Sequence, residues 1–521
     1  MKIFKSFSCH RTRMVGEMIY ENNSYKLFTD SFVEGKKKAY ALNRNILVNK
    51  EGERVSPVIK NDVPEVITEC PLIDVLYKIA VQDHEMLIVD NQYFRACTSS
   101  RPVGRIVFTR DIAYSSFLGT SLILPGMVKN HLQYTRKLRR EVGYKCSKSN
   151  VIPIPGFPNK VECEKERDFW PKYKTNSYGR RTDDIVWIIG FWEYFCVTQD
   201  YSSLKWMIDE FDYFDKKFYQ YFYDPNDNLY WGQASFIDAG GTGYPNYSPQ
   251  ESIMIKALST NCLYAGAFDR LERACRLIGL DDKADEFKER SQTIRDAIRK
   301  NFLHKDGYYA YFKRKDGSLE PRREQVGSAL LVLFDILPPK EQNKAVDDYP
   351  YSDFGAPLFW PFYPNNRCYH NNSIWPFADT LFALALFKCY RRKDILLRAL
   401  ANLCRHSLRG NFNEVLHYPS GEFRGADHYI WSAAAYLAVL FKMIGGISID
   451  ESKVRFNPYL PAELGSSFTI KNLRIGKMKL DINIRGNGGD IVDFKVDGKK
   501  TEDFTIYKNG RSHTVEIHLQ E

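Results

Sequence analysis

One pattern constrains this chain more than any other. From about Arg110 to Gly445, apolar residues recur at spacings of three and four in a long series of segments. These are Asp111–Leu122, Pro125–Val142, Thr182–Thr198, Ser202–Phe222, Gln250–Ile278, Ala284–Phe302, Glu324–Ile336, Ile374–Tyr390, Lys393–Leu408 and His428–Met443. Such spacing places the apolar side chains on one face of a helix with 3.6 residues per turn. Gln250–Ile278 is long enough for two, and the series predicts ten to twelve helices. The connections differ in kind. Gln199-Asp200-Tyr201 is brief, whereas Tyr223–Pro249, Pro350–Ser373 and Gly410–Asp427 are long and rich in Gly, Pro, Tyr and Asn. Loops beyond about 12–15 residues in a compact domain usually carry function. If successive helices pair as hairpins, the long loops gather at one end of the bundle, and a site would sit there.

The flanks read differently. Residues 1–105 hold short β-like runs, Lys38–Asn43 and Glu85–Asp90, broken by turn signals such as Asn49–Gly52. They predict an N-terminal extension with some strands. After Gly446, the runs Phe468–Gly476, Met478–Arg485 and Ile491–Gly498 alternate with period two. Asp497-Gly498 and Asn509-Gly510 are hairpin signals, and Thr514–Leu519 closes the chain as a further strand. The expected division is 1–105, a helical 106–446, and a small antiparallel sheet over 447–521.

Composition removes several classes. With 26% charged residues and a mean hydropathy of −0.42, the chain fits an ordinary soluble protein, not a disordered or collagen-like one. The best membrane candidate, Ser432–Gly446, is too short for the ~20 apolar residues a spanning helix needs and is interrupted by Lys442. Its 521 residues exceed the ~250–300 of one simple core, so several domains or a large closed architecture are expected. The net charge of +10 is scattered, and the runs Arg136–Arg140 and Lys36–Lys38 read as solvated faces, so no nucleic-acid partner is expected. Eleven cysteines lie far apart without a C-x-x-C pair, which argues against a disulfide framework or a zinc site. The basic start lacks the apolar core of a signal peptide. A cytoplasmic protein is expected, or a periplasmic one if a leader was removed.

The residues that could carry chemistry are acids in the long loops. His370 and His417 lack a second ligand at metal spacing. There is no Gly-x-Ser-x-Gly elbow, and Gly240-Gly241-Thr242-Gly243 lacks the strand, helix and Lys of a phosphate cradle. No metal and no cofactor are expected. Asp238 follows Phe236-Ile237 in the loop of Trp231, where desolvation would raise it toward a general acid's range, although loop Asp residues commonly make turns or caps instead. Glu414 lies between Phe412 and Val415, whereas Glu422 is expected to pair with Arg424 at the surface. Asp111, Asp183 and Asp184 begin helices beside Arg and aromatic residues, positions where acids usually answer the helix dipole. In Tyr369-His370-Asn371-Asn372-Ser373-Ile374-Trp375-Pro376-Phe377, Ser373 reads as an N-cap, and the His, Asn and Trp suit hydroxyl bonding and stacking. Aromatic residues make up 14% of the chain; most must fill a core, but Tyr and Trp also offer sugars a flat apolar face with a polar edge.

Two of these stretches carry a resemblance. Tyr369–Phe377 and Glu414…Gly421-Glu422…Gly425…Tyr429-Ile-Trp-Ser-Ala-Ala-Ala-Tyr436 resemble six-hairpin glycosidases, closest to glycoside hydrolase family 63 and the trehalase and debranching-type glucosidases. The resemblance runs from about Phe108 to Tyr459. It implies a mainly α chain built on an (α/α)6 toroid with an inverting acid and base. The acid falls on Asp238 and the base on Glu414. The family's acid usually follows Gly or Trp, whereas Asp238 follows Phe236-Ile237 and precedes Ala-Gly-Gly. The expectation is an exo-acting inverting hydrolase of oligo- or polysaccharides, with Asp111, Asp183, Asp184, Trp231, His370, Asn371, Trp375 and Trp431 shaping the sugar subsite. Three other activities stay open. They are an inverting phosphorylase, with Arg424 and Ser432 near a phosphate, a carbohydrate-binding protein without catalysis, and a polysaccharide lyase using Tyr369 and His370.

Overall fold

The computed structural model describes residues 16–95, 106–137, 144–146, 150–152, 174–175, 182–237, 243–244, 251, 254–364, 366 and 369–521. Asp238 lies outside the described residues.

The helical series forms where the periodicity places it. The helices are α1 Pro71–Met86, α2 Thr109–Ser115, α3 Pro125–Lys137, α4 Asp183–Thr198, α5 Tyr201–Phe222 and α6 Leu258–Leu277. They continue as α7 Asp281–Asn301, α8 Gln325–Leu333, α9 Asn343–Val346, α10 Pro376–Tyr390, α11 Lys393–His406 and α12 Ile430–Ala438. α2 runs on through a π-helical turn, Ser116–Thr120, and α12 through another, Val439–Ile444. Six of these helices pack in sequence, α2 on α4, α4 on α6, α6 on α8, α8 on α10, α10 on α12 and α12 back on α2. α4, α8, α10 and α12 are buried over most of their surface, as a helix with neighbours on every side must be. Small residues permit the close approach: a Cβ on Gly190 of α4 would stand 2.6 Å from the Cα of Ala113 on α2. The remaining helices lie outside these six, α1 on α12, α3 on α2 and α4, α5 on α4, α7 on α6, α9 on α8 and α10, and α11 on α10.

β structure is larger than the mainly α expectation allows, and the chain is a mixture of helix and sheet. The strands β1 Met18–Glu21, β2 Lys26–Phe28, β3 Ser31–Glu34, β4 Lys37–Asn43, β5 Ile46–Val48 and β6 Arg54–Val55 form an antiparallel meander. β4 and β5 rest on α1, and Arg405 of α11 grips Glu34 at 2.6 Å. β7 Glu65–Thr68 leaves this region and joins β8 Ser467–Ile475, β9 Met478–Gly486, β10 Asp490–Val496, β11 Lys499–Lys500 and β12 Ser512–Gln520. The order is β11-β10-β12-β9-β8-β7. The period-two alternation is visible in β9, whose burial alternates along the strand. The expected purely antiparallel sheet is corrected in one pairing, because β12 runs parallel to β9. The segment 1–105 also holds more than short strands: Pro71 starts a sixteen-residue helix. Its buried residues face both the meander and α12, so no single apolar stripe marks it in the sequence.

Candidate active site

Glu414 stands just before the short strand Val415–His417, which pairs with Ser373–Ile374 on one side and Phe423–Arg424 on the other. Its side chain is held on both oxygens. Tyr369 Oη donates to Oε1 at 2.9 Å, and the Ala426 N–H donates to Oε2 at 2.7 Å. The Glu414 N–H donates in turn to the Ala426 carbonyl at 2.9 Å. Between them Gly425 adopts φ +76°, and a Cβ there would fall 2.3 Å from Glu414 Oε2. Only glycine combines that left-handed backbone with so close an approach. Glu414 is 5% exposed.

An aromatic wall continues from Tyr369. Its ring meets Trp375 edge-on at 5.1 Å, and His370 stacks parallel to Trp375 at 5.5 Å. Trp375 Nε1 donates to the Tyr369 carbonyl at 2.9 Å and to Ser373 Oγ at 3.0 Å, which fixes the indole. Ser373 therefore orients Trp375 and is not the helix cap expected of it; Trp375 occupies the cap position, with Pro376 in the first turn. Trp375 abuts Trp431 at 5.3 Å, and Trp431 stacks on Phe377 at 4.2 Å. Tyr429, 4.9 Å from Trp431, donates its hydroxyl to Asp111 Oδ1 at 2.9 Å. Phe377 also touches Tyr114 and Phe236, at 5.3 and 5.6 Å. Arg110 Nη1 donates to the Ser235 carbonyl at 3.0 Å, and its Nε lies 3.8 Å from Asp183 Oδ1. The structure thus joins Glu414, His370, Trp375, Trp431, Asp111 and Asp183 into one cluster of contacts at the amino ends of α2, α4, α10 and α12.

Other expected residues sit elsewhere. Asp184 pairs with Arg136 of α3, whose guanidinium lies 5.1 Å from the Trp187 ring, so it ties α3 to α4. The Asn371 amide accepts from the Tyr363 N–H at 2.9 Å and donates to the Tyr363 carbonyl at 3.1 Å, clamping its own loop. Trp231 lies under the Lys256 ammonium at 4.1 Å, itself held by Asp224 and Asp227, and among the described residues no ring contact ties it to the cluster. Glu422 pairs with Arg424 at 2.7 Å on the surface, as expected. The neighbours of Asp238, Phe236 and Ile237, are buried.

Sequence reasoning passed over Tyr369 as a partner of Glu414, and it missed Glu324. That carboxyl, just ahead of α8, is fully buried; its Oε2 accepts the Ser259 N–H at 3.1 Å, and burial pushes its pKa up to about 8. Its place at a helix start was readable, but its burial was not. Among the described residues no group of His, Cys, Asp and Glu could hold a metal ion, and no helix is long and apolar enough to cross a membrane.

Residues 233–432 match the family described as Mannosylglycerate hydrolase MGH1-like glycoside hydrolase domain. That span contains both Asp238 and Glu414 and ends one residue past Trp431. Among solved structures, a sialidase superimposes with a TM-score of 0.59 at 14% identity, over 80% of this chain and 38% of its own. A GH78 family rhamnosidase of Bacillus sp. GL1 does so with a TM-score of 0.58 at 13% identity, over 90% of this chain and 45% of its own. A glycosidase solved in complex with glucose gives 0.50 at 12% identity, over 70% and 96%. At such identities the likeness is one of fold, and the chain spans less than half the length of the first two. No curated protein matches the chain in sequence. The matched family and its neighbours support the expected glycosidase; they do not single out glycoside hydrolase family 63.

Proposed function

We propose that this chain is an inverting, exo-acting glycoside hydrolase on a six-hairpin (α/α)6 toroid, with residues 106–446 as its catalytic unit. The observation that carries the reading is the seat of Glu414, a buried carboxylate gripped by two donors at the edge of an aromatic wall. The six helices that pack in sequence and close on themselves support the toroid. The glycoside hydrolase match over 233–432 supports the reaction class.

Glu414 is the general base. Tyr369 and the Ala426 N–H fix the orientation in which it takes a proton from the attacking water. Asp238 is the general acid that protonates the leaving oxygen from the opposite face of the sugar. In inverting enzymes the two carboxyl groups stand roughly 6.5–9.5 Å apart, which leaves room for the attacking water. Trp375, Trp431, His370, Asp111 and Asp183, packed together beside Glu414, shape the wall of the sugar subsite. The reaction needs proton transfer and water and calls for no cofactor.

The test is turnover of a panel of mannosides, glucosides and rhamnosides by wild type and Glu414→Gln, with the first-formed anomer read by NMR. Hydrolysis with inversion, and a loss of about 10²-fold or more in the variant, is the expected result. Retention of configuration, or undiminished activity in the variant, overturns the role of Glu414.

A further inference from the structure

The loop that carries Glu414 leaves the helical body at Phe412 and returns at Tyr429, and its neck is closed by the Tyr429 N–H donating to the Phe412 carbonyl at 2.9 Å. A single side chain from the other end of the sequence reaches both sides of that neck. Asp83, in the last turn of α1, is completely buried. Its Oδ2 accepts the Phe412 N–H at 2.6 Å, and its Oδ1 accepts from His428 Nδ1 at 2.6 Å. His428 itself is held at φ +51°, a left-handed backbone that non-glycine residues adopt at some cost. Phe412 lies two residues before Glu414, and His428 two after Ala426, the residue whose N–H grips the Glu414 carboxylate.

We infer that Asp83 is a positioning residue for Glu414: from α1 it clasps both ends of the loop and thereby sets where the carboxylate stands. The inference rests on the reading of Glu414 as the base. Burying a carboxylate costs several kcal/mol unless it is paired and hydrogen-bonded, and Asp83 has two partners, both from this loop. A fold needing only a filled core at this point would be served by an apolar residue. The imidazole faces two charged groups, Asp83 and Asp427. Burial works against charge on His428, but the hydrogen bond and charge of Asp83 prevail and raise its pKa above the ordinary value. When His428 is protonated, its bond to the Asp83 carboxylate is charge-assisted and stronger than a neutral one.

The experiment compares wild type, Asp83→Asn and His428→Gln, each checked for native circular dichroism. Three readouts are taken: the His428 pKa by NMR in wild type and Asp83→Asn, the hydrogen exchange of residues 413–427, and kcat against KM on whichever glycoside the panel yields. The expected result is a lower His428 pKa in Asp83→Asn and faster exchange of the loop in both variants. A kcat loss of about 10- to 100-fold with KM little changed is expected alongside, because displacement of a catalytic group by about 1 Å costs this much. Combining either variant with Glu414→Gln should add little further loss. Unchanged kcat in a folded Asp83→Asn, or unchanged loop exchange, overturns the inference. If wild type turns over no glycoside, the hydrolase reading fails on its own, while the pKa and exchange data still decide whether Asp83 holds the loop. Should Asp83→Asn not fold, His428→Gln, which leaves the Phe412 bond in place, tests the same clasp: faster loop exchange with reduced kcat upholds it, and no change in either overturns it.

Discussion

The two ends of the six mutually packed helices answer the same dipoles in opposite ways. At the amino ends stand acids: Asp111 on α2, Asp183 and Asp184 on α4, Glu324 ahead of α8 and Asp379 on α10. At the carboxyl ends stand cations. Lys388 donates to the Val332 carbonyl at 3.0 Å, Lys508 to that of Cys196 at 2.6 Å, and Lys442 to that of Phe117. Helix dipoles favour this division, anions at the amino terminus and cations at the carboxyl terminus. What differs is what holds the charges. The cations named here are bound to carbonyls left over where helices end. Lys388 and Lys442 border a cavity of about 430 Å³ walled by Phe117, Leu122, Val197, Leu333 and Phe387. The acids are held by side chains and backbone donors instead: Asp111 accepts from the Tyr429 hydroxyl at 2.9 Å, Asp184 pairs with Arg136, and Glu324 and Asp379 accept the Ser259 and Ala356 N–H groups at 3.1 and 2.9 Å. Charge at a helix end is therefore ordinary, and chemistry is marked by what surrounds it.

Substitutions at the two ends test this division. The largest effect belongs to the amino end, where Glu414→Gln should lower kcat by about 10³-fold, near 4 kcal/mol of barrier, with the melting temperature almost unmoved. A large loss of stability without loss of turnover would place Glu414 with the structural acids. Next comes Glu324, whose folded pKa of about 8 stands above its ordinary 4.5. The folded state keeps this proton where the unfolded chain has lost it, so wild-type stability is fullest on the acid side and falls as pH climbs from about 4.5 to about 8. Glu324→Gln removes that slope. Denaturant melts at pH 5 and pH 7.5 should show the variant gaining on the order of 3 kcal/mol over wild type at the higher pH. Equal slopes would mean that the carboxyl is already ionised in the fold.

Gly425→Ala follows. Its left-handed backbone and the proximity of Glu414 Oε2 predict a loss of about 2 kcal/mol in stability together with a fall in kcat. A stable, fully active variant would show that the Glu414 seat tolerates displacement. The smallest effect is at the carboxyl end. Lys442→Met leaves the Phe117 carbonyl without its donor and should cost about 1 kcal/mol in a thermal melt, with kcat unchanged. A matching fall in kcat would join the two ends that the comparison separates.

Much of this was readable in the sequence because it rests on local period. Ser202–Phe222 is expected and Tyr201–Phe222 is found; Lys393–Leu408 is expected and Lys393–His406 is found. The last strands follow the alternation in the same way. α1 was not legible, since neighbours on two sides make its apolar residues nearly continuous. Glu414 was visible as an acid in a long loop, but its grip was not. Tyr369 lies 45 residues from it, and Asp83 lies 329 residues from Phe412. Such pairings depend on how helices pack, which no local spacing encodes. Asn371 shows the converse: its residue type suited a sugar hydroxyl, yet its amide is taken up by the backbone of its own loop.

The pairing of β7 with β8 has a consequence in time. Phe468 sits opposite Thr68, 400 residues earlier in the chain. At about 5–20 residues per second of synthesis, β7 waits roughly 20–80 s for its partner. Through that interval one edge of β7 lacks the strand that will cover it, while the helices between the two are made and can already pack. The sheet is therefore completed only after the helices that lie between β7 and β8 in the chain have been made.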